Sequence, residues 1–139
     1  MPPRLLSYTE VKPPETHVDL LDKPLFAHFA TVRSDGAPQV NPMWFVYDPE
    51  TNRIRLTHTR TRHNYRYLQQ EPRVALSITD PDDQYRYLQV RGEIEKEEAD
   101  PEGAFYQLLQ QRYRGRTSEV KDRADRVIFT VKPTAWKAR

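Results

Sequence analysis

Residues 26–48 read FAHFATVRSDGAPQVNPMWFVYD, and this stretch decides the fold. Residues 26–33 have strand character. Ser34-Asp35-Gly36-Ala37 supplies turn chemistry, with Gly36 free to take positive φ. Residues 39–47 then return as the second strand of a hairpin. Pro42 interrupts that strand, so the position is an edge, a bulge or a place where a ligand approaches. A tight hairpin commits the sheet to antiparallel pairing.

Reading outward, residues 48–52 (Asp-Pro-Glu-Thr-Asn) form a second turn. Residues 53–59 are predicted as strand three, and residues 61–70 as a helix with Tyr65 and Leu68 inward. Residues 73–79 form strand four, ended by Asp80-Pro81-Asp82-Asp83, and residues 85–97 form a long fifth strand. Pro101 opens a helix whose Phe105, Leu108, Leu109 and Tyr113 recur at helical spacing. Residues 114–124 read as a polar, mobile loop. Residues 126–131 form strand six, and residues 133–139 a tail containing Trp136. Upstream, residues 1–16 carry Pro2, Pro3, Pro13 and Pro14 and read as an extended arm, able to lie on a partner subunit. Residues 17–139 make a single domain. Six strands with few crossover helices argue for a mainly β, closed or partly closed antiparallel barrel with flanking helices, and against a doubly wound sheet.

At 139 residues the chain has room for one modest core. Hydrophobic content of 37% beside 30% charged residues is lean for an isolated globule, so self-association is expected. A net charge of +2 is too small for a nucleic-acid coat. The absence of cysteine removes disulfides and thiolate chemistry. With no signal-peptide pattern and no membrane-length apolar run, a soluble, cytoplasmic protein without membrane or nucleic-acid partners is expected.

The chemistry concentrates at residues 53–72, RIRLTHTRTRHNYRYLQQEP. Here a strand feeds a helix, five arginines crowd the junction, and no acid occurs from Thr51 to Gln70. Free N–H groups and the helix dipole favour an anion at such a place. Arg62 offers a fork of donors to a phosphate. Thr57, Thr59 and Thr61 alternate, so their hydroxyls can share one face. The competing reading makes Arg60, Arg62 and Arg66 a solvated helix face and Thr61 an N-cap. Asn41, Pro42, Met43 and Trp44 combine a missing N–H with a large flat ring on which a ligand ring can rest; core or interface packing is an equal alternative. Tyr85 and Tyr87 share a strand face, suited to stacking or to an interface. His17, His28, His58 and His63 lack metal-ligand spacing, so no metal site is expected. No nucleophile or general acid stands out, and the catalytic residue is unassigned, as expected where a cofactor carries the chemistry.

The run FATVRSDGAPQ followed by NPMWF, the arginine opening a YRYLQQEPRVALSI helix-to-strand passage, and the DPDDQYRYLQVRG segment resemble the flavin and deazaflavin split-barrel superfamily, the pyridoxamine 5'-phosphate oxidase-like proteins. The likeness is nearest to the branch of F420-dependent reductases. It spans roughly residues 20–133. The resemblance implies an antiparallel split barrel of the FMN-binding type and a homodimer with two cofactor sites at the interface. By that likeness, the ring of F420 (alternatively FMN) lies over Asn41, Pro42, Met43 and Trp44. The tail runs past Thr57, His58 and Thr59, and the phosphate meets Thr61, Arg62 and Asn64. Tyr85 and Tyr87 approach from the other subunit. Relatives commonly carry a lysine where this chain has Asn64, which can donate a hydrogen bond to a phosphate but supplies no charge; Arg60 or His63 is placed to compensate. The implied function is hydride transfer from reduced deazaflavin to an electron-poor conjugated small molecule such as an enone, a quinone or a tetrapyrrole. Arg53, Arg55, Arg60 and Arg66 suit the acidic extension of F420. The alternatives are an FMN-binding oxidoreductase of the same family and a non-catalytic binder of flavin, deazaflavin or haem.

Overall fold

The computed structural model describes residues 11–139, with the side chains of His63 and Asn64 outside the described residues. One antiparallel sheet carries the molecule. Its strands are β1 (Ala27–Val32), β2 (Pro38–Met43), β3 (Val46–Asp48), β4 (Arg53–Thr59), β5 (Arg73–Asp80), β6 (Asp83–Ala99) and β7 (Arg126–Ala138). Their spatial order is β2-β1-β5-β6-β7-β4-β3. Among the described residues there are seven strands rather than the expected six. The difference arises because the second predicted strand is two. β2 pairs with β1, Pro42 opposite His28, whereas β3 pairs with β4 at the other end of the sheet. Trp44 and Phe45 make the crossing. Phe45 is fully buried, and its N–H donates to the Tyr113 hydroxyl at 3.0 Å, so a side chain satisfies backbone that a strand partner would otherwise have satisfied.

The residues read as a tail continue β7. Pro133 to Ala138 pair with residues 88–92 of β6 after a register shift between Arg91 and Gly92. A Cβ at Gly92 would lie 2.5 Å from the Lys132 carbonyl oxygen, so glycine is what lets β7 pass this close. The register shift marks an irregularity of the bulge kind in the β6–β7 ladder at this point.

Apolar alternation fills the interior. Phe29 of β1, Leu56 of β4, Leu76 of β5, Val90 of β6 and Phe129 of β7 share one core with the crossing residue Phe45. The short helix α1 (Asp19–Asp22) adds Leu20 and Leu21 to it. Arg112 holds the end of α1 by donating to the carbonyls of Leu21, Asp22 and Lys23 at 3.1, 3.2 and 2.7 Å. Helix α2 (His63–Gln70) links β4 to β5 and turns Leu68 and Tyr65 inward, as its spacing predicts.

Helix α3 (Ala104–Arg114) lies outside the barrel. Its Phe105 and Leu109 form a second cluster with Ile128, against which Trp44, Val46 and Tyr113 pack. The helix starts three residues after the expected Pro101. The Asp100 carboxylate accepts the N–H groups of Phe105 and Tyr106, and Gly103 (φ 69°) makes the entry turn. The loop beyond α3 is tied down rather than loose. Ser118 N–H donates to the Gln110 side chain at 3.0 Å, and Val120 is buried.

From Val11 to His17 the arm lies on its own chain. The Val11 carbonyl accepts from Asn52 (2.8 Å) and Trp136 (2.9 Å), and His17 meets the Arg139 carbonyl at 2.9 Å. Residues 1–10, where the arm was expected to reach a partner, lie outside the described residues. No helix among the described residues is long and apolar enough to cross a membrane.

Candidate functional site

Because β2 and β3 end the sheet on opposite sides, the barrel does not close. β3 covers β4 only at Arg53–Arg55, so β4 from Leu56 onward lacks a strand neighbour on that side, and β2 has a strand neighbour only at β1. Between these strands lies a cavity of about 550 Å³, within the size range of small-molecule sites. Asn41, Pro42, Met43 and Trp44 line it from one side, and Thr57, His58, Thr59 and Arg62 from the other. Pro42 is tolerated because its strand is an edge. Sequence-distant residues predicted for one site thus meet in one cleft.

The floor is polar but uncharged. The Thr57 hydroxyl donates to the Val127 carbonyl at 2.9 Å, and the Thr59 and Thr61 hydroxyls lie 3.0 Å apart. His58 sits between the Phe29 ring (centroids 6.3 Å apart) and the Phe129 ring (6.0 Å). Burial, reinforced by the charges of Arg62 and Arg126, lowers its pKa from 6.5 to about 4. The imidazole is therefore neutral at pH 7.

Helix α3 and β7 supply the rest of the wall, and sequence reasoning missed them. Tyr106, Leu109, Arg114 and Arg126 line the same cavity, together with Phe26 and Gln39. Arg126 lies opposite Thr59 in the β4–β7 register and donates to Asp122 at 3.0 and 3.2 Å. Its guanidinium covers the Tyr106 ring at 3.9 Å. Tyr106 stands edge-on to Trp44 (6.2 Å, 77°), and Arg114 lies over Trp44 at 4.9 Å. Helical spacing marked Leu109 as a packing residue, but no sequence pattern marked Tyr106, Arg114 or Arg126 for this site; the cross-strand register and the docking of α3 bring them in.

The remaining predicted residues lie elsewhere. Thr61 reaches the site through its contact with Thr59. Arg60 donates to the Ala124 carbonyl at 3.1 Å and does not line the cavity. His63 and Asn64 open α2, with side chains outside the described residues. Tyr85, which is 79% exposed, and Tyr87 do not line the cavity of their own chain. Of the arginines matched to an acidic tail, Arg53 is bound to Glu95 (2.6 and 3.0 Å) and Arg55 covers the Phe105 ring at 4.9 Å. Among the described residues, the cations that line the cavity are Arg62, Arg114 and Arg126, and no acidic residue lines it. The donor set therefore fits an anionic ligand with a flat, polar ring.

A model of the pyridoxamine 5'-phosphate oxidase family matches residues 13–139. The chain is 52% identical to a protein of solved structure named F420 reductase, with a TM-score of 0.85 over 89% of this chain and 98% of the other. A conserved hypothetical protein from Mycobacterium tuberculosis matches at 19% identity and TM-score 0.73, over 90% and 83% of the two chains. HutZ, a heme storage protein from Vibrio cholerae, matches at 15% identity and TM-score 0.63, over 89% and 93%. The last two likenesses show the fold alone. No curated protein matches the sequence.

Proposed function

The chain belongs to the pyridoxamine 5'-phosphate oxidase family, and from that premise we propose that it is an F420-dependent oxidoreductase that reduces an electron-poor conjugated small molecule. The observation that carries this reading is the cleft itself. It joins an uncharged hydroxyl floor, an arginine at the strand-to-helix junction and an acid-free lining. The relative named F420 reductase, at 52% identity, favours the deazaflavin over the flavin.

In this reading Arg62, with the hydroxyls of Thr59 and Thr61, holds the cofactor's phosphate by charge-assisted hydrogen bonds. Thr57 accepts a further hydrogen bond while its own proton is engaged by Val127. Asn41 to Trp44 bear on the ring, and neutral His58 offers it a polar contact without a competing charge. When bound, a reduced deazaflavin would supply a hydride and, through solvent, the proton that together reduce the acceptor. The protein binds, orients and excludes water.

The reading includes a homodimer. Support comes from Phe26 at the cavity and from Val40 on the edge strand, which are 54% and 59% exposed. Tyr85, away from the cavity of its own chain, is also exposed, at 79%. Sedimentation equilibrium tests this part, and a monomer at micromolar concentration would remove it.

Paired fluorescence titrations of cofactor-stripped protein with F420 and FMN test the main reading. Preference for F420 supports it. Preference for FMN moves the chain to the flavin-binding oxidoreductases, which the matched family model favours as the second reading.

A further inference from the structure

We infer that Arg114 is a specificity residue that binds an anionic group of the substrate, so that the preferred acceptors are conjugated molecules bearing a carboxylate. The inference rests on the F420 reading of the cleft and names the substrate class for it.

The argument is one of charge and position. Among the described residues, three arginines and no acid line the cavity. Arg126 is already matched by the bidentate Asp122 carboxylate. Arg62 stands at the β4–α2 junction, where a phosphate is held. Arg114 remains, with no acidic partner among the described residues. It is not beside the phosphate position. Its guanidinium lies over Trp44 at 4.9 Å, whereas Arg126 covers the Tyr106 ring that meets Trp44 edge-on. The cofactor's own negative charges follow its phosphate and so trail away from the ring. The anion that meets Arg114 at the ring end therefore belongs to the other reactant.

The site is also held in shape. Trp44 stacks on Tyr113 with centroids 4.9 Å apart and planes 9° apart. The Tyr113 hydroxyl donates to the Leu25 carbonyl at 2.7 Å and accepts the Phe45 N–H at 3.0 Å. The guanidinium thus lies over an indole whose plane is set by the barrel crossing, which limits the freedom it must lose on binding. Arg114 is exposed, so an Arg–carboxylate pair formed there is expected to select against the uncharged analogue by about two- to fivefold.

The test uses a naphthoquinone carrying a propanoate side chain and the methyl ester of the same molecule, whose quinone rings are electronically alike. Binding of both is measured by calorimetry on cofactor-free protein, and kcat/KM for both with reduced F420. Wild type, Arg114→Gln and Arg116→Gln are compared; Arg116 is exposed and does not line the cavity. We expect wild type and Arg116→Gln to favour the acid by about two- to fivefold, and Arg114→Gln to lose that preference. The affinity of Arg114→Gln for F420 should equal that of wild type. Absence of preference in both measurements, a preference that survives Arg114→Gln, or parallel loss of F420 and acid affinity each overturns the inference. If wild type fails to bind F420 but its calorimetric preference for the acid depends on Arg114, the F420 reading falls and the anion site stands.

Discussion

The Tyr113 ring lies parallel to Trp44, and its hydroxyl ties the segment before β1, at Leu25, to the crossing between β2 and β3, at Phe45. One side chain of α3 thus fixes both the crossing from β2 to β3 and the plane of the largest ring in the cleft. Tyr113→Phe keeps the stack and removes the hydroxyl, leaving the buried Phe45 N–H without its partner. A loss of about 1–3 kcal/mol in urea unfolding is expected. Wild-type stability in this variant would show that the crossing is held by packing alone.

Arg62→Ala should weaken binding of F420, or of FMN, by about 10- to 100-fold, the value of a charge-assisted phosphate contact. Arg60→Ala and Arg53→Ala should have little effect, since Arg60 is directed to Ala124 and Arg53 to Glu95. Equal losses in all three variants, measured by fluorescence titration at one salt concentration, would mean that a diffuse field rather than a site binds the anion.

His58 makes stability depend on pH. Its folded pKa of about 4 lies below the ordinary 6.5, so the unfolded chain binds the extra proton between those values. Stability therefore falls as pH drops from 6.5 towards 4, by on the order of 3 kcal/mol from this group alone. His58→Phe should flatten the dependence in that window. A ligand phosphate that neutralises Arg62 removes part of the repulsion on His58, so its binding should draw up protons from solution near pH 5. Calorimetry in two buffers of different ionisation enthalpy reads this directly.

Gly92→Ala places a methyl group 2.5 Å from the Lys132 carbonyl oxygen and 2.9 Å from the Val131 side chain. Both neighbours belong to a paired strand and cannot yield cheaply. Destabilisation of at least about 2 kcal/mol is expected in chemical denaturation. A neutral result would mean that the β6–β7 bend has slack.

Arg112→Ala should destabilise by about 1–3 kcal/mol, because the last carbonyls of α1 lose their donors. Arg112→Lys should recover only part, since one ammonium cannot reproduce a planar fork that meets three oxygens.

Local chemistry in the sequence determined much of this protein. The Ser34–Ala37 turn set the first hairpin, helical spacing turned Tyr65 and Leu68 inward, and the acid-free run from Thr51 to Gln70 pointed to the strand-to-helix junction as a place for an anion. These features are legible because turn propensity, helical period and charge are properties of neighbours in the chain. Tertiary structure alone decided the rest. That residues 39–47 are two strands, not one, depends on Tyr113, 68 residues from Phe45, satisfying the backbone at the break. The tail became strand because β6 was there to pair with it. Arg114 and Arg126 joined the cleft through helix docking and cross-strand register, while Arg53 left the field for Glu95. Contacts of long sequence separation leave no local pattern, so charge in the sequence pointed to an anion site, and only the fold showed which arginines line the cleft.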